Sequence, residues 1–536
     1  MRPNAPLTPP AEQHEEARRS VLRSASVMTV MTLLSRVLGL VREQVRALYL
    51  GTGAASDAFG LAATIPNLFR RLLAEGAMTA AFVPVFAEYL KRGDEEETRA
   101  FLSRFVTLLT LVVVALAMLG ILITPWLIET FFSSEFRNVP GKVQLTIWLT
   151  QLMWPYLALV SVAAVIQAIL NTEKIFAPSA FTPVLLNASI IGCGIGLAYA
   201  LPNPAYALVA GFLLGGIVQI AFQVPFLLRW TRIRFGPDFR FFGPGVRRVL
   251  WIMVPGIWGA GIYQINVFIS QLIASTLDGG SIASLQYGIR LQELVLGLFV
   301  VSVAQVILPT LSHQTAEADE EGVRDTLAYA IRLMAYVTLP STVALILLGS
   351  PVVRLLFQYG AFDAESTAKT AYAVTFYALG LLPIALARVQ AQVFFAHKDQ
   401  KTPALVAALV ATVNIVLCLT LSGPLGHGGI ALAGSVAALV NTLVFAVLLR
   451  RQLGTIGGAA LWWRVARVGV ATAAMGGALY GYGLLRPHTA IESHGILAIW
   501  VLGACAIGAS TFVVSCRALR VDELSGLWAA LRRRRT

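Results

Sequence analysis

Eight of the chain's 41 lysines and arginines fall inside long apolar segments: Arg36, Arg42, Arg46, Arg70, Arg71, Arg290, Arg332 and Arg388. An arginine near the centre of a membrane helix costs roughly 3 kcal/mol. Residues that expensive are expected to line a protected, wet cavity with a positive field. The chemistry they offer is anion binding. A guanidinium fork matches phosphate or pyrophosphate oxygens two at a time. Citrate or glutamate would be served similarly, so charge alone does not choose the cargo.

Spacing refines the set. Arg36 and Arg42 are six apart, a rise of about 9 Å, and cover a broad helix face. Arg42 and Arg46 share a face beside Glu43, and Arg46 is close enough to the outer end to snorkel. In the second segment Pro66 removes a backbone donor. That predicts a break there, with a backbone group for Asn67 to meet. Arg71 and Glu75 form an i,i+4 pair, which leaves Arg70 as the better free positive charge. Gly76 permits close approach or a second bend. Asp57 opens this helix, where its dipole favours a carboxylate or where the acid organises a gate. Arg290 and Glu293 are i,i+3 neighbours in the eighth segment. Asn266 and Ser270, with Gln264 and Gln271, line the cavity or offer a candidate cation site. Asn187, Asn414 and Asn441 are equally suited to bonding neighbouring helices.

Other chemistry is not supported. Cys193, Cys418, Cys505 and Cys516 are spread singly and read as apolar filler. The histidines show no metal spacing. No paired carboxylates, hydrolytic triad or Walker sequence is present, so an enzyme is not expected and no cofactor is implied.

The elements that carry these residues are apolar blocks of bilayer length. The chain is 57% hydrophobic and only 13% charged, against about 25% charged in soluble proteins. About fourteen spans are predicted, at 25–49, 57–90, 103–128, 144–171, 180–200, 206–228, 249–276, 283–311, 326–349, 367–396, 402–422, 429–449, 465–484 and 496–516. With the N-terminus inside, 28 of the remaining lysines and arginines fall on inner segments and five on outer ones. That alternation predicts an all-α multi-pass protein of the plasma membrane with both termini cytoplasmic. Most of the net charge of +13 lies at membrane faces, which excludes nucleic acid as a natural partner. Membrane lipids are the expected contact of the tail Arg532–Arg535.

The stretch from Trp154 resembles the stretch from Leu382, with Pro155 matching Pro383, Ala168 matching Ala396 and Lys174 near Lys401. An offset of six spans preserves direction and predicts parallel repeats. The division is then a polar, loose cytoplasmic tail 1–24, an N-lobe 25–228, a basic linker 229–248, a C-lobe 249–449, two further helices 450–516 and a basic tail 517–536.

The sequences SRVLGLVRE, SDAFGLAATIPNLFRRLLAEGAMTAAFVPVF and YGIRLQELVLGLFVVSVAQVILPTLS resemble the bacterial MurJ/MviN family, over roughly residues 20–516. The resemblance implies a lipid II flippase of the multidrug/oligosaccharidyl-lipid/polysaccharide exporter superfamily, serving peptidoglycan synthesis by alternating access. The cargo would be undecaprenyl-pyrophosphate-linked disaccharide pentapeptide. The family's essential arginines match Arg36, Arg42, Arg70, Arg71 and Arg290, and its acids match Asp57 and Glu75. The resemblance also implies a tail groove at the last two helices and coupling to membrane potential, with sodium in some members. Cell-wall enzymes are further partners to consider. This chain departs from the family at Ser270 and Ile289, where relatives carry aspartate, which puts sodium binding in doubt and leaves Glu293 as the local counter-charge. The alternatives are a multidrug or ion antiporter, another polyprenyl-linked oligosaccharide flippase, or a non-transporting scaffold. A cationic-drug exporter would favour interior carboxylates, and a scaffold needs no arginines on three separate spans.

Overall fold

A computed structural model describes residues 10–72, 77–132, 134–230, 235–485 and 493–521. Among these the regular structure is helical throughout. The first eight helices are α1 (Pro10–Leu50), α2 (Ala54–Arg70), α3 (Ala77–Arg92), α4 (Glu95–Phe131), α5 (Ser134–Asn138), α6 (Lys142–Thr172), α7 (Phe176–Leu197) and α8 (Pro204–Trp230). They are followed by α9 (Pro244–Ala274), α10 (Ser281–Val295), α11 (Val301–Ala316), α12 (Glu320–Phe357), α13 (Ala364–Leu379), α14 (Leu381–Ala396), α15 (Lys401–Leu453), α16 (Gly458–Leu484) and α17 (His494–Ala518). Seven of the described helices are long and apolar enough to cross a bilayer, or nine if two bent pairs each count as one span.

The helices follow the predicted segments closely, and the differences have local causes. Helix α1 begins at Pro10, inside the stretch expected to be a loose tail. Helix α2 runs unbroken through buried Pro66. The backbone loosens instead to a π-type turn at Arg71 and Leu72. A second π-type turn, Leu296–Val300, divides the eighth predicted span into α10 and α11. Such turns expose backbone groups and recur at functional sites.

Helix α15 has 53 residues. A straight helix of that length would run about 80 Å, far beyond a bilayer core of about 30 Å. It turns at Gly426, whose φ of 54° and ψ of −138° are non-helical. Beyond the turn, a Cβ on Gly429 would lie only 2.1 Å from the Leu421 carbonyl oxygen, so the two limbs fold back on each other. This places the division where spans 402–422 and 429–449 were predicted to part.

The chain forms two compact units. The first comprises Met1–Arg46, Leu61–Ile128 and Gln144–Gly261. Its core is aromatic, with Phe82 stacked against Phe86, Phe101 and Phe105 and closed by Leu102, Ile169 and Val249. The second comprises Ala47–Gly60, Glu129–Val143 and Ile262–Thr536. Its core joins α11, α12, α14 and α15 through Leu311, Leu327, Val389, Val393 and Leu449. These units differ from the predicted lobes. The short segments 47–60 and 129–143 group with the second unit, and the boundary falls within α9 rather than at 229–248.

The described part of the expected linker is a strap. Gly236 and Asp238 donate backbone N–H groups to Ser103 Oγ and Thr107 Oγ1 of α4, at 3.2 and 3.1 Å. Arg104 Nε donates to Asp238 at 3.0 Å. Two turns have the same form at the ends of α6 and α14. Lys174 after α6 and Lys398 after α14 both adopt positive φ, 64° and 59°. Each is followed by a residue whose N–H reaches five residues back, Ile175 to Leu170 and Asp399 to Phe394. The same turn recurs at Ala318 and Arg520.

Candidate functional site

The first unit holds four of the five arginines expected to bind cargo. Arg42 on α1 is half-buried and held from two sides. Its Nη1 donates to Asn187 Oδ1 of α7 at 3.1 Å, and its Nη2 to Glu43 at 2.8 Å. Asn187 in turn donates to the Ser35 carbonyl at 3.2 Å, which fixes its amide. On α2, Asn67 donates to the Ala63 carbonyl at 2.7 Å and accepts from Arg70 Nε at 2.8 Å. Arg70 also bonds the buried Tyr156 of α6. The expectation of Arg70 as a free charge is thus corrected: its guanidinium is oriented by an asparagine and a tyrosine. Neither partner is an acid, so orientation leaves the positive charge intact.

Arg42 and Arg71 both add to the positive field at Arg70. Arg71 is exposed and Arg36 is half-buried. Glu75 and Gly76 lie outside the described residues, and with them the Arg71–Glu75 pair. Arg46 does not snorkel. It is 6% exposed and faces Glu43, itself 6% exposed, at 3.6 Å. Glu43 therefore serves Arg42 and Arg46 together. Among the described residues one acid, Glu43, faces Arg42 and Arg46, and a set of guanidinium groups in excess of acid favours an anion.

In the second unit Arg290 pairs with Glu293 at 2.7 Å. Both side chains are close to half exposed, so the pair restrains the guanidinium only weakly. The π-type turn follows three residues later. Arg332 lies over the Tyr329 ring, and Arg388 is exposed.

Asp57 is more tightly held than its sequence position implied. It is 1% exposed and ion-paired with Lys142 at 2.8 Å. Its two oxygens also accept from the backbone N–H groups of Gly280 and Ala283, both at 2.9 Å. The carboxylate therefore caps α10 while sitting at the start of α2. Gly280 is required there: its φ is 88°, and a Cβ would lie 2.2 Å from the Thr52 carbonyl. Around it, Tyr287 donates to the Gly51 carbonyl at 3.2 Å, Thr52 bonds Ser366 at 2.8 Å, and Ala361 N–H donates to the Leu48 carbonyl at 2.8 Å.

The candidate cation site forms a closed polar cluster. Asn414 Nδ2 donates to Asn266 Oδ1 at 2.9 Å and to Ser270 Oγ at 3.2 Å. Ser270 also meets Cys418 Sγ at 3.8 Å. Among the described residues no group of three or more histidines, cysteines or acids could hold a metal. Asn187 and Asn414 thus do the same work in the two units, each bonding the first helix of its predicted lobe.

Three residues of these sites carry no signal of their role in the sequence. Tyr156 has the look of core filler, though it sits beside the repeat's Pro155. Lys142 stands out only as an outer-face charge. Cys418, expected to be filler, touches the polar cluster.

The model of the family described as lipid II flippase MurJ matches residues 46–493. A probable lipid II flippase MurJ from Vibrio cholerae is 35% identical over 522 residues, covering 96% of this chain and 95% of that one. A lipid II flippase MurJ from Burkholderia cenocepacia is 33% identical, covering 81% and 84%. A solved structure of lipid II flippase MurJ in an inward closed conformation superposes with a TM-score of 0.76 at 26% identity, over 93% of this chain and 99% of that one. An inward-facing MATE family multidrug resistance transporter gives 0.68 at 15% identity, over 81% and 99%, and shares the fold alone. By sequence match over most of its length and by fold, this chain belongs to the lipid II flippase MurJ family.

Proposed function

We propose that the chain moves lipid II from the cytoplasmic to the outer leaflet of the bacterial plasma membrane by alternating access. It is a transporter, not an enzyme. The observation that carries the reading is the set Arg42, Arg70 and Arg71 in the first unit, with Arg42 held by Asn187 and Glu43 and Arg70 held by the neutral Asn67 and Tyr156. A pyrophosphate presents oxygens on several sides and exchanges its water for guanidinium donors there. Arg36 extends the binding set of the first unit, and Arg290 is the second unit's own candidate contact for the headgroup. The undecaprenyl tail remains in lipid, where its hydration cost is avoided.

In this reading Asp57, Lys142 and the first turn of α10 act as the outer gate. The ion pair is buried, so opening must hydrate both charges. Glu293 keeps Arg290 positioned between cargo-binding events. Membrane potential drives return of the carrier. The polar cluster at Asn266 and Ser270 serves as a neutral clasp, because its acceptor oxygens already receive the Asn414 amide. Replacing sodium by potassium is then expected to leave flux unchanged. A strict sodium requirement would overturn the clasp assignment.

Native mass spectrometry with lipid II tests the binding set. Arg42→Ala and Arg70→Ala are expected to lower retention about tenfold each, the loss of a charge-assisted contact of about 1.5 kcal/mol. Added inorganic pyrophosphate should compete with the wild type. Undiminished retention in both variants would refute the assignment.

A further inference from the structure

The inner ends of α16 and α17 enclose a cleft that the transport reading leaves unused. Its volume is about 380 Å³, within the range of small-ligand sites, about 300–1,000 Å³. Trp463, Ala466, Arg467 and Val470 present one face of α16, and Ala518, Leu519 and Arg520 close it from the end of α17. The two alanines provide the hollow, and the two arginines supply its charge.

Three features point to a phosphate-bearing lipid headgroup. First, the level is right. Trp462 and Trp463 are 69% and 63% exposed, the placement of aromatic side chains at a membrane surface. Arg467 lies one helical turn from Trp463, with its guanidinium 5.7 Å from the ring centre. A cation–π contact orients that cation without neutralising it.

Second, helix capping explains only part of the charge. A cation is favoured at the C-terminal end of α17, where Arg517 and Arg520 stand. Arg467 is instead the tenth residue of α16, too far from either end to be there for the dipole.

Third, Arg520 occupies a position that favours glycine. Its φ is 53°, and Val521 N–H closes the turn on the Cys516 carbonyl at 2.9 Å. The same turn is held by Lys174, Ala318 and Lys398, so it does not by itself call for a ligand; what it does here is set Arg520 into the lining of the cleft. The inner face already carries Arg450, Arg451 and Arg464 close by in sequence, which enriches anionic lipid at that surface.

We infer that this cleft is a binding site for the phosphate headgroup of an anionic membrane lipid, such as a phosphatidylglycerol, at the cytoplasmic surface. The arginines grip the phosphate, and Trp463 packs against the glycerol and upper acyl region.

The test uses the full chain in phosphatidylcholine nanodiscs carrying a tenth part of brominated lipid. Quenching of Trp463 is read as the difference between wild type and Trp463→Phe. Brominated phosphatidylglycerol is expected to quench this component several-fold more than brominated phosphatidylcholine. Arg467→Gln combined with Arg520→Gly should abolish the preference, each arginine contributing about fivefold. Arg520→Gly suits the backbone, so its thermal midpoint should equal or exceed that of wild type. Equal quenching by both lipids, or a preference that survives the double substitution, would overturn the site. Loss of the preference in 10 mM inorganic phosphate would assign the cleft to free phosphate and overturn it as a lipid site. Protection of Trp463 from both lipids would mean that a second copy of the chain covers it, and would overturn the lipid site equally.

Discussion

At the residue scale the two arginines are held differently. Asn67 and Tyr156 orient Arg70 without cancelling its charge, while Arg42 is shared between the neutral Asn187 and the acid Glu43. Lysine keeps the charge but loses the fork. Arg70→Lys is therefore expected to bind lipid II about tenfold more weakly, the scale of one lost charge-assisted bond. Tyr156→Phe should give a smaller loss, because it misdirects the guanidinium without removing it. Equilibrium binding to both variants checks the order, and equal affinity for Arg70→Lys and wild type would refute fork recognition. The arginines were legible in the sequence because charge stands out in apolar runs. Their partners were not. Asn187 is 145 residues from Arg42, and no local pattern predicts such a contact. Arg46 misled for the same reason, since its nearness to a helix end says nothing about what packs around it.

At the element scale the ends of helices carry the polar work. Asp57 closes one helix start with the carboxylate of another and adds a buried lysine. Removing one member strands a buried charge, which costs about 3–5 kcal/mol. Lys142→Met is thus expected to lower the thermal midpoint markedly. The double variant Asp57→Asn/Lys142→Met should lose less than the two single losses combined. Additive losses in thermal unfolding would contradict the coupling.

The strap 235–243 makes a different prediction. The Arg240 backbone N–H, then the Arg104 guanidinium, hold the Asp238 carboxyl below its usual range. A carboxylate with a depressed folded pKa contributes stability above its unfolded pKa, about 3.9. That contribution is lost as pH falls through the lower folded value. Amide exchange at Gly236 and Asp238 should therefore stay protected on mild acidification and speed up only below that range. Asp238→Asn should remove the transition.

The sequence pattern located most helix bounds but misplaced the bend in α2. Pro66 was expected to break the helix, yet its missing donor is accommodated within the span and the backbone loosens at Arg71. Proline chemistry locates a lost bond; packing decides where the chain bends.

At the scale of the whole molecule, the hydrophobic pattern was sufficient for a helical membrane fold. It also parted the two limbs of α15, since two bilayer-length spans, 402–422 and 429–449, were read there. The grouping of 47–60 and 129–143 with the second unit was invisible. Those segments join residues far away in the chain, through contacts such as Lys142–Asp57 and Tyr287–Gly51. Only the family resemblance, matched over residues 46–493, narrowed an anion to a lipid-linked pyrophosphate.

The most direct measurement of the central claim is lipid II translocation in sealed proteoliposomes. Lipid II is placed in the leaflet matching the cytoplasmic face. Headgroup appearing at the opposite face is then scored by an added membrane-impermeant enzyme, with and without an imposed potential. The wild type is expected to expose headgroup in a protein-dependent manner and faster under potential. The Arg42→Ala/Arg70→Ala variant, inserted to the same level, should fall to the rate of protein-free vesicles. Headgroup exposure by that variant at the wild-type rate would contradict the arginine cluster as the cargo site.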